Sequence, residues 1–162
     1  LYLYEVEHRQ TGITGKVEVL DGRLVFTRRK LSEAASSASI KKEDLTANWA
    51  VGPSLIPMLA RNWDAVMKGQ KFQVRLGLWD RQETIGFELF KDRIEKGADG
   101  KDRVVIKMKP SSFLISALVN PLYFVMGVDG HSLDSMTGRV LPKLEAGGKL
   151  QDLDAEIVYT AR

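Results

Sequence analysis

The sequence predicts a mainly β fold of the α+β class: a curved antiparallel sheet or open β-barrel with one main amphipathic helix. Three observations predict it. Asp-Gly occurs at Asp21-Gly22, Asp99-Gly100 and Asp129-Gly130, each between strand-like runs. That dipeptide suits a type I′ hairpin, whose two central residues both need positive φ. Several runs alternate apolar and polar residues at period two, the mark of half-buried strands. A single run carries the helical period. At 162 residues the chain is long enough for a sizeable core, and residues 1–162 read as one domain.

The elements follow in order. Leu1 to Arg9 sets Tyr2, Tyr4 and Val6 against Glu5, Glu7 and Arg9. Lys16 to Leu20 and Arg23 to Arg29 flank the first Asp-Gly. Ser32 to Asp44 is low in bulk and reads as a flexible connection or a loose turn of helix. Leu55, Ile56, Leu59, Trp63, Val66 and Met67 recur at helical spacing, which predicts one helix over Ser54 to Lys68. Ser54 is its expected N-cap, Pro57 fits its first turn, and Gly69 suits the position after its end.

Further strands are predicted over Phe72 to Trp79, Thr84 to Phe90 and Arg103 to Lys109. The first turns Phe72, Val74, Leu76 and Leu78 to one face. The second groups Ile85, Phe87 and Leu89. The third sends Val104, Ile106 and Met108 inward and Arg103, Lys107 and Lys109 outward. The run from Ser111 to Val128 carries no charge. Asn120-Pro121 interrupts it, and each half is shorter than the ~20 residues a spanning helix needs. It reads as two short, deeply buried strands. Glu145 to Lys149, with Gly147-Gly148, is a second soft stretch, and the last strand is expected over Ala155 to Thr160.

Composition narrows the function. Hydrophobic residues make up 44% and charged residues 28%, which argues against disorder. A net charge of +3 and a pI near 9.1 are mildly basic, short of what nucleic-acid binding calls for. The absence of cysteine removes disulfides, thiolate catalysis and cysteine–zinc sites. The first residues already read as structure, so a mature form whose leader has been removed is expected.

Catalytic chemistry finds little support. His8 and His131 are the two histidines, and no His/Asp/Glu cluster has metal spacing. Ser111-Ser112 lies in no G-x-S-x-G elbow and reads as a turn pair that bonds the backbone. Glu83, Glu88, Asp129 and Asp134 flank strands, and Glu88 either faces solvent or pairs with Arg75 across a hairpin. Arg28-Arg29-Lys30 and Lys41-Lys42 read as a solvated rim, one able to meet anionic lipid headgroups. No catalytic residue, metal or cofactor is assigned, and no nucleic-acid partner is expected. Met58, Met67, Met108, Met126 and Met136 are flexible groups suited either to filling a core or to an adaptable apolar cavity.

The order of features resembles the bacterial lipoprotein carriers, the LolA/LolB-like open β-barrels, and related periplasmic domains. The likeness is carried by PSLIPMLARNWDAVMKG (Pro53 to Gly69), then KFQVRLGLW and TIGFELF, then VVIKMKP, the uncharged run and VDGHSLDSMTGRVLPK. The resemblance implies a curved, incompletely closed sheet covered by a helix, with an apolar ligand between them. It also implies a periplasmic or cell-envelope location.

The expected function is therefore non-enzymatic binding or carriage of an apolar, lipid-like molecule, with peripheral contact to an anionic membrane. Leu55, Leu59, Trp63, Val66, Val74, Leu76, Phe87, Met108 and Phe124 are the expected cavity lining. Two alternatives stand beside it. One is an enzyme acting on a hydrophobic small molecule in the same cavity, a use to which a related fold is put in pigment biosynthesis. The other is a structural or interaction module with no ligand.

Overall fold

The computed structural model describes residues 3–117 and 119–160. These residues form eleven β-strands and three short α-helices, and the mainly β class holds. The strands make a four-stranded sheet of order β1-β2-β3-β4 and a seven-stranded sheet of order β11-β10-β9-β8-β7-β6-β5. Neither closes into a barrel. The chain divides into two compact units. The first joins the residues up to Leu55 with Arg75–Ile85, and the second joins Ile56–Val74 with Gly86 onward.

The first unit holds β1 (Leu3–His8), β2 (Ile13–Leu20), β3 (Arg23–Lys30), β4 (Ser39–Asp44) and the short β5 (Trp49–Ala50). Antiparallel register sets Tyr4 beside Val17 and Val17 beside Phe26, which builds one apolar face. Val17, Leu24, Phe26, Val51 and Trp79 are its buried cluster. A Cβ at Gly15 would meet Trp79 Cδ2 at 2.8 Å, so only glycine lets the indole come this close to β2. Asp21 and Gly22 both take positive φ, 49° and 72°, as a type I′ turn requires. Tyr2 lies outside the described residues.

Ser32 to Asp44 departs from expectation. One 3-10 turn, Ala35–Ser37, is followed by a true strand, β4, paired with β3 from Arg23↔Asp44 to Arg28↔Ser39. This edge strand is exposed on nearly every residue, so it carries no period-two signal. β5 pairs in parallel with the start of the Arg75–Ile85 segment, Trp49↔Arg75 and Ala50↔Leu76.

The expected single helix is broken. A 3-10 turn, Gly52–Ser54, leads into α1 (Leu55–Arg61), and α2 (Trp63–Met67) follows. Asn62 separates them at φ −105°, ψ 13°; its side-chain amide donates to Met58 O at 2.9 Å and its backbone N–H to Leu59 O at 3.0 Å. Asparagine competes in this way with the helix ladder. Ser54 is not the N-cap. Its hydroxyl accepts from Val51 N at 2.9 Å inside the 3-10 turn. Pro57 sits in the first turn of α1, and Gly69 ends α2 with φ 85°.

The strands are β6 (Phe72–Leu78), β7 (Glu83–Lys96), β8 (Asp102–Pro110), β9 (Leu122–Gly127), β10 (Leu133–Ala146) and β11 (Lys149–Val158). The alternation read for β6, β7 and β8 holds in part: Phe72, Val74, Phe87, Leu89, Val104, Ile106 and Met108 are buried, but Leu76, Leu78 and Ile85 are only half-buried, and Gly77, Thr84 and Val105 on the opposite parity are buried. β7 runs six residues beyond the expected Phe90, to Lys96, through a bulge between Lys91 and Arg93. β11 begins at Lys149 rather than Ala155. The soft Gly147-Gly148 stretch is a tight hairpin. Both glycines have positive φ, 58° and 72°, and Ala146 pairs with Lys149.

Two Asp-Gly readings need refinement. Gly100 and Gly130 have φ of 76° and 73°, but among the described residues Asp21, Asn48 and Gln82 are the non-glycine residues at positive φ. Asp99-Gly100 and Asp129-Gly130 are therefore not type I′ turns. Each aspartate instead accepts a backbone N–H two residues on, Lys101 N and His131 N, both at 3.0 Å.

Half of the uncharged run is also corrected. Its second half is β9, with Phe124 and Met126 buried. Among the described residues of its first half, none is strand or buried. Phe113–Ser116 forms a short helix, α3, started by Ser112, whose carbonyl accepts Ser116 N at 2.9 Å.

Candidate functional site

Of the nine expected lining residues, eight are buried and Leu76 is half-buried. Leu55 and Leu76 belong to the first unit and the other seven to the second. Within the second unit, Leu59, Trp63 and Val66 share one face of α1 and α2. Val74, Phe87, Met108 and Phe124 lie on the sheet, where register sets Leu89 beside Met108 and Ile106 beside Phe124. Burial of this depth is what a packed core gives.

Polar contacts fix the helices. Trp63 Nε1 donates to Val128 O at 2.9 Å, which ties α2 to the β9–β10 turn. Lys91 Nζ donates to Met67 O at 2.8 Å. A cation on a last-turn carbonyl satisfies an otherwise free acceptor and suits the helix dipole. Lys91 pairs with Ile106 in register, so this side chain rises from the apolar sheet face to the end of α2.

The feature that burial does not explain is α3. Phe113 is 85% exposed and Leu114 77% exposed. Scattered exposed leucines are ordinary on protein surfaces, but adjacent large apolar residues at the tip of a loop are informative. The loop from Ser111 to Pro121 joins β8 to β9, and both ends are anchored. Ser111 N donates to Gly86 O at 2.9 Å and Ser111 Oγ to Gln73 Oε1 at 3.1 Å. Asn120 Nδ2 donates to Asp154 Oδ2 at 2.9 Å. The apolar tip is thus held out on a fixed base.

The charged groups at that base are organised. Glu88 accepts from Gln73 Nε2 at 2.9 Å and Lys71 Nζ at 3.2 Å, with Lys109 Nζ 3.8 Å away. The expected pairing with Arg75 does not form; Arg75 bonds the Thr84 hydroxyl and carbonyl instead. The hydrogen bonds from Gln73 and Lys71, aided by nearby cationic charge, hold the Glu88 carboxyl below the ordinary glutamate range. Asp154 is held low in the same way by Arg139 and Asn120. Arg139 and Lys143 face Asp152 and Asp154, while Arg103 meets both Asp99 and Asp134.

Of the residues considered for catalysis, Glu88 and Ser111 belong to this base, where both are taken up in hydrogen bonds to Gln73. His131 is exposed. His8 Nδ1 and Thr11 Oγ1 are 2.6 Å apart in the first unit. Among the described residues, no group of three or more His, Cys, Asp or Glu side chains is arranged to hold a metal ion. No helix among them is long and apolar enough to cross a membrane.

Sequence reasoning missed Phe113 and Leu114 because it equated an uncharged run with burial. The available signal was Ser111-Ser112 after Pro110, a helix-start pattern, and the lack of alternation in Phe113-Leu114-Ile115. No protein-family model matches the chain, and no curated protein or solved structure is significantly similar to it.

Proposed function

We propose that this protein binds or carries a lipid-like apolar molecule in the cell envelope, without covalent chemistry, and that Phe113 and Leu114 are its point of contact with lipid. The observation that carries this reading is the exposure of both side chains on an anchored loop. Withdrawing two such side chains from water is worth about 3–6 kcal/mol together. That magnitude suits reversible contact rather than permanent insertion. The order of elements, which resembles the lipoprotein carriers, supports the same reading.

The test is flotation with phosphatidylcholine vesicles, alongside titration with an environment-sensitive fatty-acid probe. The wild-type chain is expected to float and to bind the probe saturably. Phe113→Ser with Leu114→Ser is expected to abolish flotation while leaving the melting curve within ~0.5 kcal/mol of wild type, as for other surface changes. Equal flotation of wild type and double variant would refute the role of the tip. Failure of the probe to saturate would leave a structural module.

A further inference from the structure

Beside the apolar tip, the polar face of the sheet carries lysines set against aromatic rings. Lys71 Nζ and Lys109 Nζ lie 5.8 and 5.9 Å from the Phe90 ring centroid. Lys107 Nζ lies 5.5 Å from that of Tyr123. Register puts Phe90, Lys107 and Tyr123 in one row across β7, β8 and β9, with Lys109 one pleat nearer the tip, opposite Glu88. The Lys71 and Lys109 side chains are 56% and 42% exposed.

Charge is unbalanced here. Arg103 has two carboxylates to itself, Asp99 and Asp134, and Arg93 has Asp92 and Glu95. Among the described residues, Glu88 is the carboxylate that Lys71 and Lys109 share, and Lys107 stands against a ring. The surface also continues into the tip: Glu88 bonds Gln73, Gln73 bonds Ser111, and Phe113 follows two residues later.

We propose that Lys71, Lys107 and Lys109 form a contact surface for the anionic headgroups of a lipid bilayer, laid down beside the Phe113–Leu114 tip. The inference rests on the reading of that tip as a lipid contact and adds the sign of the lipid. Ammonium groups attract phosphate, and amphipathic aromatic rings suit the headgroup layer. Each lysine near such a surface is worth about fivefold in binding at physiological salt. The attraction is screened as salt rises.

The experiment measures flotation of the full chain with vesicles of phosphatidylcholine alone and of phosphatidylcholine mixed with phosphatidylglycerol, at low and high salt. Wild type is expected to prefer the anionic vesicles by about tenfold or more at low salt, and to lose that preference at high salt. Lys107→Gln with Lys109→Gln should bring anionic binding down towards the neutral-vesicle value and leave neutral binding intact. Glu88→Gln, which unmasks one positive charge, should raise anionic binding about fivefold. Equal binding to both vesicle types, or a preference that survives the lysine changes, would overturn the inference while the tip reading stands. Lysine-dependent anionic binding that ignores Phe113→Ser/Leu114→Ser would overturn the tip and keep the headgroup surface. Binding to neither vesicle would end both. Lysine-dependent capture of a single-stranded oligonucleotide in preference to vesicles would replace lipid with nucleic acid as the partner.

Discussion

Replacing Gly130 with alanine separates two costs that usually arrive together. Gly130 has φ 73°, and a Cβ there would meet Trp63 Cγ at 2.6 Å and Cε2 at 2.8 Å. Gly100 has nearly the same φ, 76°, with nothing within 4 Å of its Cβ position. Alanine at either site incurs the left-handed backbone penalty of about 1–2 kcal/mol. Alanine also stiffens the unfolded chain, by a similar amount at both sites, so that contribution cancels in the comparison. Gly130→Ala alone must also push aside an indole held by its bond to Val128 O. Overpacking of this kind costs about 1–3 kcal/mol. Urea melts are therefore expected to show Gly100→Ala down by about 1–2 kcal/mol and Gly130→Ala by about 2–5 kcal/mol. In a Trp63→Ala background the excess at Gly130 should vanish, since the clashing ring is gone. Equal losses at the two glycines, or an excess that persists without Trp63, would refute the packing of α2 against this turn.

Two further outcomes follow from polar groups. Gln82 is buried, with its amide bonded to Phe26 O, Ser39 O and the Ser39 hydroxyl, so Gln82→Leu should cost about 1–3 kcal/mol by leaving those groups unpaired; a melt unchanged from wild type would contradict this. Glu88, whose carboxyl is held low in the folded chain, contributes stability above the ordinary glutamate pKa that is lost as pH falls through its lower folded value. The stability gap between wild type and Glu88→Gln should therefore shrink in melts run below the ordinary glutamate range, and a gap that is flat or grows with acid would count against it.

Strands were legible where one face is apolar. Phe87 and Leu89, or Ile106 and Met108, alternate because one side of the sheet is buried and the other is partly open to water, whereas Val104, Val105 and Ile106 are buried in a row. β4 hides from the same logic. Its Ser39-Ile40-Lys41-Lys42-Glu43-Asp44 sequence is exposed along nearly its whole length, and its strand character comes from backbone pairing to β3. The far half of β7 hides for a second reason: the bulge at Asp92 shifts the alternation by one residue. The break at Asn62 is visible in retrospect as a residue that bonds the backbone inside an apolar helical pattern. The α3 tip was misread because hydropathy records only that a side chain avoids water, and core and contact surface share that property. The outward direction of Lys107 and Lys109 was readable from parity. Their association with Lys71 through Glu88 joins residues far apart in the chain, which no local pattern encodes.

The two units are interleaved along the chain, and this constrains how the protein can be made or cut. The apolar face of the first sheet is completed by Trp79, and Gln82 closes hydrogen bonds onto β3 and β4. Both come from the Arg75–Ile85 segment, which follows a stretch belonging to the other unit. While the chain emerges from the ribosome, Val17, Leu24 and Phe26 therefore remain without their indole partner until Trp79 has been made. A fragment ending at Leu55 would carry the strands of the first sheet but not the residues that cover it. Neither unit can be lifted into another protein as one uninterrupted stretch of gene.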